Sequence, residues 1–320
     1  MWRRGICKLN QLRKNNLHDL FGKEKNISVY LYKRLVHENE HEEKDYWLDV
    51  ILNRFNSDRN VVKRTYKNRF DQFDEAAIKE LIKLNMLKPS VMDIAVSDGR
   101  ASTYFLQQLL AQSFEPAYTA SDLVLSYTLH KKNQSAGSHI VTDEGNNIKE
   151  IVRPPFVWNL SRREGKFYFI NNKLKRYYSR FYQNQLKKGL LRYNEKIELL
   201  HPDFMDLLQK CRSYELLNYS LFNPIPGKFD VIRVMNILHY GYFTEEQLAR
   251  SLHHIYNGLE MDGLLIEGSN ENAGSEVEGG IYRKTAHGFE EVCIPQKSSR
   301  IGKVILSIRP VNADNTQEVK

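Results

Sequence analysis

Cysteine and long apolar runs are both scarce in this chain. The three cysteines of the 320 residues, Cys7, Cys211 and Cys293, lie far apart and form no C-x-x-C pair. That spacing argues against a disulfide scaffold or a structural zinc site and suits a reducing compartment, so we expect a cytoplasmic protein without a metal site. No run approaches eighteen consecutive apolar residues, which predicts no transmembrane segment. The N-terminal stretch contains no apolar run of signal-peptide length.

The chain also lacks the glycine-rich loops of two common nucleotide-binding classes. No G-x-x-x-x-G-K-[S/T] sequence of a phosphate-loop NTPase occurs in it. The stretch VMDIAVSDGRAS (91–102) reads as an apolar strand, a polar turn and the start of a helix. Its turn holds one glycine, Gly99, where a dinucleotide site usually has three, so a nicotinamide or flavin site is disfavoured.

What the chain has in excess is positive charge. Its net charge is +8 and its pI is near 9.1, which fits an anionic partner but equally fits a solubility role. The segment 153–192 contains eleven Lys/Arg, one acid and nine aromatic residues. This composition suits binding to RNA, to an anionic membrane surface or to an acidic small molecule. It equally suits a solvated helix whose tyrosines pack on a sheet.

Hydrophobic periodicity predicts two regions. Residues 1–88 are predicted to be helical, because YWLDVILNRF (46–55) and FDQFDEAAIKELIKLNML (70–87) place apolar residues at helical spacing. Residues 89–320 alternate between strands and helices, which predicts a mostly parallel sheet covered by helices. The alternation is interrupted by a predicted insertion at about 123–196, with a hairpin at HIVTDEGNNIKEIV (139–152). The C-terminal stretches GGIYRKT and GKVILSIRPV are both predicted as strands.

Polar residues follow four of the predicted parallel strands. In an open parallel sheet, ligands bind beyond the carboxyl ends of the strands, so these residues are candidates for one site. Asp122 could accept two hydrogen bonds from a ribose, because a carboxylate has two oxygens in one plane. The candidates are, strand by strand, Asp93 to Gly99; Asp122; Ser220 and Leu221; and Asn236, His239 and Tyr240.

Taken together, DIAVSDGRAS, ASDL, FDVIRVMNILHYGYF and DGLLIEGSNE resemble the Rossmann-like S-adenosylmethionine-dependent methyltransferases. The closest likeness is to the chemotaxis-receptor glutamate methyltransferases, and it covers roughly 90–125 and 214–271. The resemblance implies an α/β fold with a methyltransferase sheet, mostly parallel with a C-terminal antiparallel hairpin. Around it lie a helical N-terminal region and the inserted basic substructure.

The resemblance also implies the ligand and its contacts. S-adenosyl-L-methionine would be the cofactor, with its methionine part near Asn236 and the turn, its ribose on Asp122, and its adenine between Ser220 and Leu221. The turn residues assigned to the cofactor are Asp93, Ala95, Ser97, Asp98 and Gly99.

Two positions depart from the family pattern. Ala95 stands where the family has the first glycine of the loop. Met235 replaces the arginine expected before Asn236, and Arg233, two positions earlier, is predicted to point to the opposite face of the strand from Val234. Catalytic roles are left open, with His239, Tyr240 and Glu271 as candidates.

The expected function is therefore methyl transfer to a small molecule or a protein carboxylate. Two alternatives stay open: a methyltransferase-fold binding module without turnover, and an RNA-modifying enzyme that uses the basic segment. Base-amine methylation is disfavoured because MNILHY replaces the expected polar-Pro-Pro-aromatic motif, and cytosine-carbon methylation because no cysteine nucleophile is nearby.

Overall fold

A computed structural model describes residues 4–38, 43–54, 69–134, 137–160, 168–270 and 276–310. Their contacts divide the chain into two compact units. One, here the antiparallel unit, comprises described residues within 1–64 and 126–199; the other, the parallel-sheet unit, comprises those within 65–125 and 200–320. The inserted part begins and ends within three residues of the predicted bounds, about 123–196. The predicted boundary at 88/89 differs from the observed division, because the N-terminal residues share a unit with the insertion.

The parallel-sheet unit alternates strands and helices along the chain. Its strands are Ser90–Ile94 (β1), Ala117–Asp122 (β2), Ser213–Asn218 (β8), Phe229–Met235 (β9), Leu259–Ser269 (β10), Glu278–Thr285 (β11) and Gly288–Cys293 (β12). Its helices are Asp71–Lys83 (α3), Arg100–Ala111 (α4), Pro202–Leu208 (α6), Glu245–Gly258 (α7) and Gly302–Ser307 (α8).

The seven strands form one sheet in the order β12-β11-β10-β9-β1-β2-β8. The five strands from β10 to β8 are parallel, while β11 runs antiparallel to both of its neighbours. The chain moves outward from β1 to β2 and β8, and then returns to the other side of β1 for β9 and β10. This reversal creates a crevice beyond the carboxyl ends of β1 and β9, where such sheets bind ligands. The α/β class and the mostly parallel sheet are as predicted.

Helices cover both faces of this sheet. Residues of α3, α4 and α6 share one apolar core with alternate residues of β1 and β9, such as Val91 and Val231. The intervening residues, such as Met92 and Ile232, share a second core with α7 and α8. Strand side chains alternate between faces, so nearly continuous apolar runs in β1 and β9 supply both cores.

A buried ion network ties α3 to the sheet. The Arg233 guanidinium lies 2.9 Å from Oδ1 of Asp74 on α3 and 3.3 Å from Oδ1 of Asp93 on β1, and all three side chains are buried. The Tyr118 hydroxyl donates to Asp93 Oδ2 at 2.7 Å. Burial raises the pKa of Asp74 to about 7, and the adjacent guanidinium opposes that shift. Val234 packs in the opposite core, so the predicted orientation of Arg233 is correct.

The C-terminal hairpin is present, but its second strand was assigned to the wrong residues. GGIYRKT lies in β11 as predicted, whereas GKVILS forms the helix α8. The partner of β11 is instead β12, which follows after a two-residue turn, with Thr285 paired to Gly288. Ile301, Ile305 and Ile308 are buried at spacings of four and three, the periodicity of a helix face rather than a strand.

The antiparallel unit contains a second sheet of order β6-β5-β4-β3-β7. Its strands are Ser126–Lys131 (β3), His139–Thr142 (β4), Ile148–Arg153 (β5), Phe156–Asn159 (β6) and Tyr193–Glu198 (β7). Its α-helices are Tyr30–Val36 (α1), Lys44–Arg54 (α2) and Phe169–Lys187 (α5). The hairpin predicted at 139–152 corresponds to β4 and β5.

Polar contacts join the N-terminal residues to this sheet. The Ser28 hydroxyl donates to Glu150 Oε1 at 2.7 Å, and the Val29 amide donates to Glu150 Oε2 at 3.1 Å. Glu150 lies on β5 and is fully buried, as is Ser28. These hydrogen bonds place the described N-terminal residues in the same unit as the insertion. Within the described ranges, no helix is long and apolar enough to cross a membrane.

Candidate functional site

The turn after β1 has an unusual backbone. Ala95, Ser97 and Gly99 all have positive φ angles, of 64°, 60° and 84°. Only glycine adopts this left-handed region without a steric penalty, which costs other residues about 1–2 kcal/mol. The alternating left-handed residues turn the chain sharply from β1 into α4. The alanine that replaces the expected glycine therefore affects the backbone of the turn.

This conformation makes Ala95→Gly a test of local strain. We expect the variant to gain about 0.5 kcal/mol in free energy of unfolding, because relief of the left-handed penalty exceeds the added chain entropy of glycine. The matched control, Ala76→Gly within α3, should lose about 1 kcal/mol, because its backbone is helical. Urea unfolding measures both. An equal loss in the two variants would contradict a strained turn.

Two carboxylates predicted to contact the cofactor are buried and bonded to side chains of the protein. Asp93 is buried between Tyr118 and Arg233, as described above. Asp98 is also buried; it accepts from the Arg100 amide at 3.1 Å and pairs with the Arg100 guanidinium at 2.6 Å. Both carboxylates are thus held by side chains of the protein, and their predicted role as cofactor contacts stays a prediction.

Gly99 packs closely against a helix of the protein. A Cβ at this position would lie 2.1 Å from the Phe204 ring of α6, and the φ of Gly99 is 84°. The close approach at Gly99 is therefore that of an aromatic side chain. His201, the residue that precedes α6, donates its backbone amide to the Asp98 carbonyl at 2.7 Å. The turn therefore contacts both α6 and the residue before it.

Asp122 stands where the sequence placed it, at the carboxyl end of β2. Its Oδ2 accepts from the Ser97 amide at 2.7 Å, which joins the end of β2 to the turn after β1. Oδ1 accepts from the Val124 amide at 3.3 Å. A carboxylate has about four acceptor positions, so these two bonds leave acceptor capacity at the crevice. The Ser97 hydroxyl oxygen is buried and has no hydrogen-bond partner among the described residues.

The two adenine candidates follow β8. Ser220 is half-buried, and its hydroxyl accepts from the Phe222 amide at 3.4 Å. Leu221 is buried in the core shared with α7. Tyr219, between these and β8, donates its backbone amide to the Asp122 carbonyl at 2.9 Å. This bond brings the segment to the end of β2.

Asn236 follows β9 and has an unpredicted arginine partner. Arg69, which lies two residues before α3, donates from Nη2 to Asn236 Oδ1 at 3.1 Å. The same nitrogen donates to the Asn270 carbonyl oxygen at 3.1 Å. Asn236 itself has a positive φ of 61° and donates its amide to Gly268 O. A guanidinium therefore lies at the ends of β9 and β10, although Met235 replaces the expected arginine.

No motif in the sequence marks Arg69, and its partner Asn236 is 167 positions away along the chain. The ion pair of Asp74 with Arg233 and the apolar packing of α3 hold that part of the chain against the sheet.

Two of the three catalytic candidates line a cavity of about 370 Å³ beyond β9 and β10. His239 and Tyr240 belong to its wall, and the His239 Nδ1 accepts from the Gly241 amide at 3.1 Å. Opposite them, Lys297 and Arg300 both pair with Glu278, at 2.7 and 3.1 Å. Asn270, the partner of Arg69, also lines the cavity. Glu271 lies outside the described residues.

Comparison with known proteins gives fold-level matches at low scores. No protein-family model and no curated protein matches the chain. An S-adenosylmethionine-dependent methyltransferase from Clostridium acetobutylicum has 11% identity over 74% of this chain and 78% of its own, with a TM-score of 0.30. The N-methyltransferase NodS from Bradyrhizobium japonicum, solved with S-adenosylhomocysteine, has 10% identity over 74% and 71%, with a TM-score of 0.28.

A third structure is the methyltransferase CalO1 of calicheamicin biosynthesis, with S-adenosylhomocysteine bound. It has 11% identity over 63% of this chain and a TM-score of 0.27, and the match spans only 38% of CalO1. None of these matches points to the chemotaxis-receptor enzymes in particular. Similarity at this level does not identify an activity or a substrate.

Proposed function

We propose that this chain is an S-adenosylmethionine-dependent methyltransferase whose acceptor is a small molecule or a protein carboxylate. One observation carries the proposal: acceptor and donor groups from four separate segments converge beyond the carboxyl ends of β1, β2 and β9. These groups are Asp122, Ser97 and the Arg69–Asn236 pair. The convergence lies at the reversal of strand order, the position at which open α/β sheets bind ligands.

The groups present fit this cofactor. The Ser97 hydroxyl is buried without a partner among the described residues, so a polar ligand group would satisfy it. Asp122 has acceptor positions for ribose hydroxyls. Arg69 presents a cation for a carboxylate, and guanidinium–carboxylate pairs are among the stronger hydrogen-bonded contacts. These residues would thus hold the methionine carboxylate and the ribose of the cofactor.

When bound, the cofactor supplies a methyl group on a sulfonium, which an acceptor atom displaces in line. Much of the rate enhancement in such a reaction comes from alignment, so the residues around the crevice would act mainly by positioning. The hydrogen bond from Arg69 to Asn236 would hold both side chains in position at the end of β9. His239 is the candidate base for a hydroxyl or amine acceptor, whereas a carboxylate acceptor needs none.

The cavity beside the crevice favours a small acceptor. A volume of about 370 Å³ is within the usual range for sites of small molecules. Its two cations are both paired with Glu278, which reduces its attraction for a strongly anionic ligand. The likeness to chemotaxis-receptor methyltransferases supports a protein carboxylate as the other acceptor class. A binding module without turnover and an RNA-modifying enzyme are the alternatives.

Binding and transfer are tested separately. Calorimetry with S-adenosylmethionine should give a dissociation constant on the order of micromolar. Incubation of a cell extract with methyl-tritiated cofactor should then label the small-molecule or protein fraction. Binding without label in any fraction would support the silent module, and label confined to RNA would support the RNA enzyme. Absence of binding by the folded protein would contradict the proposal.

Arg69 gives a sharper prediction within this proposal. Arg69→Gln should weaken cofactor binding about 30-fold, because a charged, hydrogen-bonded contact of about 2 kcal/mol is lost. Arg69→Lys should recover part of the affinity, since it keeps the charge but not the fork of donors. Calorimetry on both, with Arg212→Gln at an exposed position as control, measures the effect. Unchanged affinity in Arg69→Gln would remove Arg69 from the site.

A further inference from the structure

A loop in the antiparallel unit presents an exposed apolar tip. The loop lies between His18 and Glu24, which form an isolated antiparallel bridge. At its tip Leu20 is 98% exposed and Phe21 is 44% exposed. Two hydrogen bonds within the loop connect its ends: Asp19 Oδ1 accepts from the Phe21 and Lys23 amides at 2.9 and 3.0 Å. An aliphatic side chain held almost fully in solvent has no role in the core of its own unit.

This loop is joined to the start of α5. The Tyr168 hydroxyl, one residue before the helix, donates to Asp19 Oδ2 at 2.6 Å. The next residue, Phe169, begins α5 and is 57% exposed. The apolar tip and the first turn of α5 are thus neighbours within one unit.

The outward face of α5 continues the exposed surface. Tyr177 and Phe181 are exposed, and the exposed cations Lys173, Arg176 and Arg180 lie between and beside them. These positions recur at spacings of three and four, so they form one stripe along a helix of 19 residues, about 28 Å long.

The opposite face of α5 is already used. Trp158 of β6 stacks on Tyr178 at 5.6 Å, and Tyr182 is buried in the same cluster with Ile151. Two tyrosines of the basic segment therefore pack on the sheet, which was one of the alternatives that its composition suggested. The exposed aromatic residues are additional to that packing. From 169 to 192 the sequence has seven Lys/Arg and no acid.

We infer that the Leu20 loop and the outward face of α5 form a docking surface for an anionic lipid bilayer. The inference does not depend on the proposed methyl transfer. Leu20 and Phe21 would enter the boundary between headgroups and acyl chains, the aromatic residues of α5 would lie at the headgroup level, and its cations would neutralise anionic lipids. Such surfaces combine apolar and electrostatic contributions, and both are present here on adjacent elements.

The shape and composition of this surface favour lipid over the other occupants. A single-stranded nucleic acid stacks on aromatic faces within a groove, whereas Leu20 has no stacking face and α5 is a convex rod. If a second copy of the chain paired through the same face, the cations of the two α5 helices would repel each other. An attractive contact would require acidic residues, and α5 has none.

The test is co-sedimentation of the full chain with vesicles. The wild type should bind vesicles of phosphatidylcholine mixed with phosphatidylserine, bind phosphatidylcholine alone at least tenfold more weakly, and lose affinity as salt rises. Arg176→Gln/Arg180→Gln should weaken binding about 25-fold, at about fivefold for each cation. Leu20→Ser/Phe21→Ser should weaken it about tenfold or more, through lost apolar burial.

Matched controls keep the result interpretable. Met261→Ser removes an exposed apolar side chain from the other unit, and Lys210→Gln/Arg212→Gln removes two exposed cations there. Neither should change vesicle binding. Because all substituted residues are exposed, circular dichroism and melting temperature should match the wild type in every variant.

Each other outcome overturns the inference. No binding to either vesicle, or equal binding to both, excludes an anionic lipid surface. Gel shift of single-stranded RNA without vesicle binding assigns the stripe to nucleic acid. A concentration-dependent dimer in sedimentation, lost in Leu20→Ser/Phe21→Ser, assigns the tip to a second copy of the chain.

Discussion

Replacing Asp122 by alanine is expected to weaken S-adenosylmethionine binding about 100-fold. The carboxylate would accept two ribose hydrogen bonds, each worth about 1.5 kcal/mol to a charged acceptor, and about 3 kcal/mol corresponds to two orders of magnitude. The substitution also leaves the Ser97 amide without its 2.7 Å acceptor, which loosens the turn that faces the ligand. Calorimetry with the purified variant measures the loss.

Two further variants separate charge from shape at this position. Asp122→Asn keeps a carbonyl oxygen for the Ser97 amide and should lose about tenfold. Asp206→Ala removes an exposed carboxylate from α6 and should bind like the wild type. If Asp122→Ala bound the cofactor with wild-type affinity while remaining folded, Asp122 would have no ribose contact.

Replacing Arg233 by methionine should reduce the free energy of unfolding by about 3–5 kcal/mol. The change removes the only charge partner that the described residues show for buried Asp74, and one of two partners of buried Asp93. Removing one member of a buried pair is costly because the other charge remains without compensation. Unfolding of the variant in urea at several pH values measures the loss, with Arg212→Met at an exposed position as control.

The pH dependence of this loss has a definite sign. In the wild type, burial already raises the pKa of Asp74 to about 7, above its usual value of 3.8. A carboxyl group with a raised folded pKa binds its proton more tightly in the folded state, so stability falls as pH rises between the two values. Without Arg233 the folded pKa should rise further, so the variant should be much weaker at pH 8 than at pH 5. A loss independent of pH would indicate a packing defect instead.

Much of the parallel sheet was predictable because local patterns determine it. The apolar runs of β1, β2, β9 and β10 each end in polar residues, and the intervening helices have clear amphipathic spacing. The placement of Asp122, Asn236, His239 and Tyr240 at or after strand ends was predictable for the same reason: strand ends are visible in the sequence, and they meet at one edge of a parallel sheet.

What could not be predicted depends on contacts between distant segments. The pairing of Asp93 with Arg233, 140 positions later, is one such contact. Gly99 looks like a ligand cradle until the Phe204 ring fills the space above it. Arg69 has no motif of its own and enters the site because α3 is anchored elsewhere on the sheet.

The unit boundaries failed for a related reason. A helical pattern in residues 46–55 says nothing about which sheet the helix accompanies. Hydrogen bonds from Ser28 and Val29 to Glu150, more than 120 residues away, decide that the N-terminal residues belong with the insertion. Similarly, GKVILS reads as a strand by β-branched content, and only the burial of Ile301, Ile305 and Ile308 identifies its helical period.

Diffraction from crystals grown with S-adenosylhomocysteine tests the central claim most directly. The account predicts density beyond the ends of β1, β2 and β9, with ribose hydroxyls on Asp122, a polar ligand atom at the Ser97 hydroxyl and the carboxylate at Arg69. Ligand density elsewhere, such as wholly within the cavity between His239 and Lys297, would contradict that assignment. So would the absence of density from crystals grown at saturating ligand.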